Sequence, residues 1–180
     1  MGRGMSDYDL GMKMVEQEEL YFFFEAYEVA TGQKLEMVSP RERPDFLCRR
    51  PSGRIVGVEL TAVMPEPGFW GDVHPRSALE ALVDAIDKKE GKRSTGEWAQ
   101  RRNTLLVLQL HRCPLHDLAR YLEDVGPAEF TGHGFREVII ANYSEFDAYR
   151  AIELFGLFPK RLWGHHEWYR GKPYLITSEL

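Results

Sequence analysis

The sequence predicts an α/β fold in which helices flank a mixed central sheet, and three observations support this prediction. Short apolar runs at 103–111 and 135–143 are typical of strands buried on both faces. Two further segments, 45–50 and 54–61, flank the turn sequence Pro51-Ser52-Gly53, and the second is rich in β-branched residues. The segments between these strands carry apolar residues at three- and four-residue spacing, which indicates amphipathic helices.

The elements follow one another in an order that fits a single domain, residues 1–180. The first helix, 15–30, has Leu20, Phe23 and Tyr27 at helical spacing, and Thr31-Gly32 ends it. No internal repeat or low-complexity linker divides the chain. The predicted order continues with strands 45–50 and 54–61, a helix opening near Ser77, strand 103–111, helix 114–125, strand 135–143, helix 144–155, and strand-like pieces at 162–163 and 174–176.

Composition excludes several classes of protein. A hydrophobic content of 43% with 12% aromatic residues is typical of a packed globule and not of a disordered chain. No run approaches the ~18 apolar residues of a membrane-spanning helix, and the N-terminus lacks the apolar core of a signal peptide, so we expect a cytoplasmic protein. The two cysteines, Cys48 and Cys113, form no disulfide framework or ligand cluster, and we expect both to stay reduced.

The charges are unevenly distributed along the chain. The 23 basic and 28 acidic residues give a net charge of −5, but the balance is −5 over 1–40, +3 over 41–112 and −3 over 113–180. A basic middle between acidic ends is compatible with an anion-facing surface, and the alternative is an ordinary solvated face. The arginines proposed to contact phosphate are Arg49, Arg50, Arg54, Arg101 and Arg102.

The hairpin over residues 43–61 contains the most informative pattern. A three-residue loop that ends in a left-handed glycine pairs Arg50 with Arg54, and the same register puts Asp45 directly opposite Glu59. Directly opposite residues have Cβ atoms ~4.5–5.5 Å apart, so the two carboxylates would repel each other. A divalent cation between them would turn that repulsion into binding, as in Mg²⁺ sites built from one or two carboxylates. The alternative is a solvated aspartate at a strand start and an unrelated glutamate.

These residues resemble a known family. Pro44-Asp45, followed in the next strand by Glu59-Leu60-Thr61, is similar to the pattern of the PD-(D/E)XK nuclease superfamily, also called restriction-endonuclease-like. The resemblance covers a core of about 15–145 and leaves 146–180 as a C-terminal extension. It implies a restriction-endonuclease-like αβββαβ core, with Asp45 and Glu59 as metal-binding carboxylates and the Leu60 carbonyl as a third metal ligand.

The chain departs from the family pattern at Thr61, where the pattern has lysine. A neutral hydroxyl can only hydrogen-bond, whereas phosphodiester hydrolysis needs a cation for the charge that develops on phosphate. Some members of the superfamily carry this lysine on the following helix, which here offers Lys88, Lys89 and Lys92. We favour Lys89, because its position three residues after Ile86 extends the core-facing stripe toward the sheet. The alternative is a solvated lysine whose stem covers apolar surface.

Two further elements are candidates for the site. Superfamily members often place a helix glutamate beside the metal, and Glu16 or Glu19 of the first helix could do so here. Both are equally compatible with an acidic first turn of a helix. Gln109 lies on a buried strand, where its amide needs a partner, and it either points to the site or is a satisfied core residue.

We therefore expect a Mg²⁺- or Mn²⁺-dependent nuclease that hydrolyses phosphodiester bonds of nucleic acid, with DNA favoured over RNA. Asp45, Glu59 and Lys89 would be its catalytic residues. The second hypothesis is a catalytically inactive nuclease-like fold that binds nucleic acid or protein, because Thr61 replaces the expected lysine. A third is an interaction protein that uses its acidic ends. The sequence is compatible with a homodimer but contains no residue that demonstrates one.

Overall fold

The computed structural model describes residues 7–65, 74–113, 115–144 and 152–165. Its elements are three helices, seven strands and one short 3-10 helix within this part of the chain. None of the helices in the described ranges is long and apolar enough to cross a membrane. In chain order they are α1 (Asp7–Thr31), β1 (Glu36–Pro40), β2 (Phe46–Arg49), β3 (Ile55–Val63), α2 (Pro75–Thr95), β4 (Thr104–Leu110), α3 (Leu115–Val125), β5 (Glu137–Asn142), β6 (Glu153–Phe158), the 3-10 helix (Lys160–Leu162) and β7 (Gly164–His165).

The strands form one mixed sheet whose spatial order is the same as their order along the chain. β2 is antiparallel to its neighbours β1 and β3, and β3, β4 and β5 are parallel. β6 is antiparallel to β5, and β7 to β6, at the far edge. Parallel neighbours need a crossover connection, which α2 supplies between β3 and β4 and α3 between β4 and β5. The predicted α/β class with a mixed sheet is confirmed.

A separate apolar core lies on each face of the sheet. On one face, Phe23 and Tyr27 of α1 pack in a cluster with Val58 of β3. On the other face, Leu82 of α2 packs in a cluster with Leu108 of β4 and with α3. The sheet is therefore sandwiched between α1 on one side and the α2–α3 pair on the other.

The direction of each β3 side chain follows from this two-faced packing. Val58 and Leu60 belong to the core under α1, whereas Val63 belongs to the core under α2. Successive strand residues point to opposite faces, so Glu59 and Thr61 share the face covered by α2. The polar residues of the sequence motif are thus directed at the helix that follows them in the chain.

Three elements differ from the sequence prediction. The strand-like piece predicted at 162–163 is wrong, because Leu162 ends the 3-10 helix and β7 begins only at Gly164. β1 was not foreseen, because its alternating burial is confined to five residues at the edge of the sheet. The predicted helix 144–155 is wrong at its end, where Glu153, Leu154 and Phe155 belong to β6. Leu154 packs in one core and Phe155 in the other, which is the two-residue period of a strand. Residues 145–151, and the predicted strand at 174–176, lie outside the described residues.

Candidate active site

The β2–β3 hairpin has the predicted register. The observed pairs run from Phe46 opposite Val58 to Arg49 opposite Ile55. The turn closes with a hydrogen bond from the Arg50 amide to the Arg54 carbonyl at 2.9 Å, and Gly53 has a φ of +81°. That value lies in the left-handed region that glycine adopts without steric cost. The register prediction is confirmed, and its continuation places Asp45 beside Glu59.

The Asp45 and Glu59 carboxylates both accept hydrogen bonds from main-chain amides of the hairpin. The Asp45 amide donates to Glu59 Oε2 at 3.1 Å, and the Leu60 amide donates to Asp45 Oδ2 at 2.8 Å. Glu59 is 4% exposed, whereas Asp45 is half-buried. Main-chain donors therefore orient both carboxylates at the start of β2 and the middle of β3.

Lys89 reaches this pair from α2. Its ammonium Nζ contacts Glu59 Oε1 and lies 3.5 Å from the Leu60 carbonyl oxygen. Leu82 and Ile86 are buried on the same helix face, and they hold Lys89 over the sheet with its side chain 18% exposed. The prediction from helical periodicity that Lys89 points toward the sheet is confirmed by these contacts. Lys92, by contrast, is exposed.

The electrostatics of the cluster are dominated by Glu59. Burial raises the pKa of its carboxyl above the ordinary 4.5, and the neighbouring Asp45 carboxylate raises it further. The Lys89 ammonium and the Asp45 amide oppose this shift because they stabilise the ionised form. The two carboxylates lie side by side, and the Lys89 ammonium contacts Glu59, so a bound cation would reduce the repulsion between the carboxylates further.

Gly57 positions Asp45, and sequence reasoning did not identify this residue. A Cβ at Gly57 would lie 2.6 Å from Pro44 Cγ and 2.7 Å from Thr104 Oγ1. Only glycine lets buried Pro44 pack this closely on β3, one residue before Asp45. An isolated glycine in a predicted strand was the available signal.

Thr61 stands on the same face as Glu59, two residues further along β3. Its hydroxyl Oγ1 is buried and has no hydrogen-bond partner among the described residues. It lines a cavity of about 300 Å³ that Lys88 of α2 also lines. A buried hydroxyl without a hydrogen-bond partner is uncommon. This one could donate a hydrogen bond to a ligand group that enters the cavity.

The structure does not bring α1 to the site. Glu19 Oε2 accepts a hydrogen bond from Gln109 Nε2 at 2.7 Å, and the Tyr143 hydroxyl donates to the Glu19 carbonyl at 2.8 Å. Gln109 pairs with Ala62 of β3 and belongs to the face under α1, away from Glu59. The alternative that Gln109 is a satisfied core residue is therefore confirmed, whereas the expectation that Glu19 lies beside the metal site is wrong, because the sheet separates Glu19 from it. Glu16 is on the same helix, on the far side of the sheet.

The proposed phosphate-contacting arginines divide into three groups. Arg50 is 6% exposed and bonded to Tyr27 and Glu137, so it is unavailable to a ligand. Arg49 and Arg54 are exposed but lie at the turn end of the hairpin, remote from Asp45. Arg101 and Arg102 are exposed in the connection between α2 and β4.

The oxygen atoms at the site fit a hard divalent cation. Two carboxylates and the Leu60 carbonyl are of the kind that Mg²⁺ accepts, with water and phosphate oxygens completing six ligands. The Lys89 ammonium already contacts Glu59 and this carbonyl, which shows that both oxygens are available to one cation. In the described ranges no group of three or more His, Cys, Asp or Glu side chains is placed to hold a metal ion. Comparisons of the chain with protein-family models, with curated proteins and with solved structures gave no match.

Proposed function

We propose that this chain is a Mg²⁺- or Mn²⁺-dependent nuclease of the PD-(D/E)XK type, which hydrolyses phosphodiester bonds of nucleic acid. The observation that carries the proposal is the meeting of Asp45, Glu59 and Lys89 at one point beside the Leu60 carbonyl. Lys89 lies thirty residues from Glu59 in the chain. A hairpin acid pair with a lysine from the next helix is the set of charges that this hydrolysis requires.

Each residue of the site would have a separate role. Asp45, Glu59 and the Leu60 carbonyl would hold the cation, which when bound lowers the pKa of its water and offsets charge on phosphate. Lys89 would donate hydrogen bonds to the attacking water or to the phosphate oxygens, because its ammonium lies against Glu59 and near the Leu60 carbonyl, two of the proposed metal ligands. Thr61 Oγ1, which is buried without a partner, would donate a further hydrogen bond on the same face.

The order of elements supports the superfamily assignment. A helix, three antiparallel strands, a helix and a further strand are the core that the resemblance implies, and α1, β1, β2, β3, α2 and β4 follow in that order. A preference for DNA over RNA and a homodimeric state remain predictions from the resemblance.

One observation favours a second candidate, a nuclease-like binding module without chemistry. The Lys89 ammonium already contacts Glu59 and the Leu60 carbonyl, which are the groups proposed to hold the metal. A buried ion pair of this kind can be a structural feature alone. Thr61 in place of lysine is compatible with either candidate.

Cleavage of labelled oligonucleotides tests the proposal. We expect the full chain to cut DNA with Mg²⁺ or Mn²⁺ and to lose this activity with a chelator. Asp45→Ala and Glu59→Ala should abolish both cleavage and metal binding by calorimetry while the fold persists. Lys89→Met should retain metal binding, because it removes a competitor for Glu59, and should lower the cleavage rate about 10²- to 10³-fold.

Matched controls separate the site from general surface charge. Asp124→Asn, exposed on α3, and Lys92→Met, exposed on α2, should cleave like the unmodified chain. If Asp45→Ala and Glu59→Ala cleaved as fast as the unmodified chain, the assigned site would be refuted. Absence of metal binding at millimolar Mg²⁺ and Mn²⁺ would favour the binding module instead.

A further inference from the structure

An open cavity of about 1210 Å³ adjoins the chain segment that leads into the site. One wall is formed by residues 40–43, which connect β1 to Asp45 and β2. The other wall is formed by residues 96–99 and Arg101, which connect α2 to β4. We call this cavity the arginine groove, because Arg41, Arg43 and Arg101 line it and all three are exposed.

The two walls are held in place relative to each other and to the site. The Ala99 amide donates to the Arg43 carbonyl at 3.2 Å, which ties one loop to the other. The Arg41 amide donates to the Asp45 carbonyl at 2.7 Å. Buried Arg93 donates to the Arg101 carbonyl at 3.2 Å and so supports the second wall from beneath. The groove therefore has a defined position, two residues from a proposed metal ligand.

The chemistry of the lining favours phosphate over bases. Three guanidinium groups outnumber the two exposed carboxylates, Glu42 and Glu97. An arginine fork matches a phosphate group with two parallel hydrogen bonds. The aromatic ring of Trp98 is 8% exposed and belongs to the core, so it offers no face on which a base could stack. Contacts here would carry charge but little sequence information.

We infer that the arginine groove binds the sugar-phosphate backbone of a nucleic acid strand, independently of sequence, and leads it to Asp45 and Glu59. This inference rests on the proposed function, since it names how the same site holds its substrate. An acidic protein segment is the competing occupant. Nucleic acid is favoured because the wall that carries Arg41 and Arg43 is hydrogen-bonded to Asp45, and Asp45 and Glu59 form a pair of carboxylates suited to a phosphate-bound cation, which an acidic peptide would not need.

Binding of a 5′-labelled 20-nucleotide DNA of mixed sequence, measured by fluorescence anisotropy with a chelator present, tests the inference. We expect the double variant Arg43→Ala/Arg101→Ala of the full chain to bind about tenfold more weakly at low salt. For each phosphate that the variant no longer neutralises, the slope of log affinity against log salt should become shallower by about 0.7–0.9, equally for unrelated sequences. The double variant Arg49→Ala/Arg54→Ala is the matched control, because it also removes two exposed positive charges, from the turn end of the β2–β3 hairpin.

The outcomes distinguish failure of the groove from failure of the nuclease assignment. Equal affinity and equal salt slope for the Arg43→Ala/Arg101→Ala variant and the Arg49→Ala/Arg54→Ala control would overturn the groove, even where Asp45-dependent cleavage persists. Arginine-dependent binding by a chain that neither cleaves nor binds metal would uphold the groove and refute the nuclease. Competition by polyglutamate as strong as that by unlabelled DNA would overturn the choice of nucleic acid. In a cleaving protein, the Arg43→Ala/Arg101→Ala variant should raise KM and leave kcat unchanged.

Discussion

The β2–β3 hairpin carries a charged cluster at each end, and the two clusters differ in the charges that lie beside their buried glutamate. At the turn end, on the face under α1, Arg50 contacts Glu137 Oε1 at 3.2 Å and the Tyr27 hydroxyl at 3.2 Å. At the open end, on the face under α2, the Lys89 ammonium contacts Glu59, and a second carboxylate, that of Asp45, lies beside Glu59. We refer to them as the Arg50 cluster and the Asp45 cluster.

The residues of the Arg50 cluster are buried and hydrogen-bonded to one another. The Tyr27 hydroxyl donates to Glu137 Oε2 at 2.7 Å, and Arg50 also donates to Gln33. Tyr27 and Glu137 are 1% exposed and Arg50 is 6% exposed. Opposite charges face each other and share a hydroxyl, which is how a protein stabilises ionised groups away from water.

In the Asp45 cluster the buried Glu59 carboxylate has a second carboxylate beside it, and the repulsion between the two raises the pKa of Glu59. Thr61, on the same face of β3, lines a cavity of about 300 Å³. Such an arrangement contributes little to folding stability and is typical of a site that binds a ligand. The comparison predicts that changes in the Arg50 cluster affect stability, whereas changes in the Asp45 cluster affect ligand binding.

Glu137→Gln should have the largest effect on stability. It leaves the Arg50 guanidinium buried without its charge partner, and breaking a buried pair costs about 3–5 kcal/mol. Denaturant unfolding followed by circular dichroism measures this loss. Glu153→Gln, at a less buried strand position in the neighbouring β6, is the control. A loss below about 1 kcal/mol would contradict the distinction between the clusters.

Tyr27→Phe should have an intermediate effect. Burial, and then the Glu137 carboxylate, raise the pKa of Tyr27 to about 12, so its hydroxyl stays protonated and donates to Glu137 at neutral pH. Removing the hydroxyl leaves buried groups unsatisfied, at about 1–3 kcal/mol. The same unfolding measurement applies, with Tyr21→Phe on the exposed side of α1 as the control. An unchanged stability would show that water or Gln33 replaces the hydroxyl.

The titration of Glu59 should make a smaller contribution to folding stability, which can be measured as a pH dependence. Its pKa is raised in the folded state, so the folded chain holds its proton more tightly than the unfolded chain does. The stabilisation that comes from this tighter proton binding is complete below the ordinary pKa of 4.5. It is lost as the pH rises through the raised pKa of the folded state. The stability difference between the metal-free chain and Glu59→Gln should change over that window. A constant difference would contradict the raised pKa.

Asp45→Asn should have the smallest effect on stability and the most selective effect on binding. The amide oxygen can still accept from the Leu60 amide, and the repulsion with Glu59 disappears. We therefore expect a change within about 0.5 kcal/mol without metal, together with loss of Mg²⁺ or Mn²⁺ binding by calorimetry. A loss of several kcal/mol would place Asp45 among the structural residues instead.

Sequence reasoning succeeded where the relevant contacts are local or periodic. The three-residue turn determines the hairpin register, so Asp45 and Glu59 could be paired without any structure. Three-residue spacing after Ile86 was sufficient to choose Lys89 from among three lysines. The same reasoning assigned Glu19 to the site incorrectly, because helical spacing tells which side of a helix faces the sheet but not which face of the sheet the helix covers.

The Arg50 cluster shows the same limit of sequence reasoning for residues that are far apart in the chain. Arg50 was proposed to contact phosphate because it stands in a basic segment, yet its partner Glu137 is 87 residues away. The arginine groove was missed for a similar reason, since its walls come from two loops that only the packing of α2 against the sheet brings together.

The sequence by itself determined the α/β class, the hairpin register and the acid pair, because each depends on turn chemistry or on the two-residue period of a strand. Only the tertiary structure decided which charged residues are buried partners and which face a cavity. That decision depends on the packing of α1 and α2 on opposite faces of one sheet, which separates Glu19 from Glu59 and brings Lys89 to it. Local preferences act over a few residues, whereas burial and charge pairing depend on contacts between distant segments, so the same arginine or glutamate could not be assigned its role from its neighbours alone.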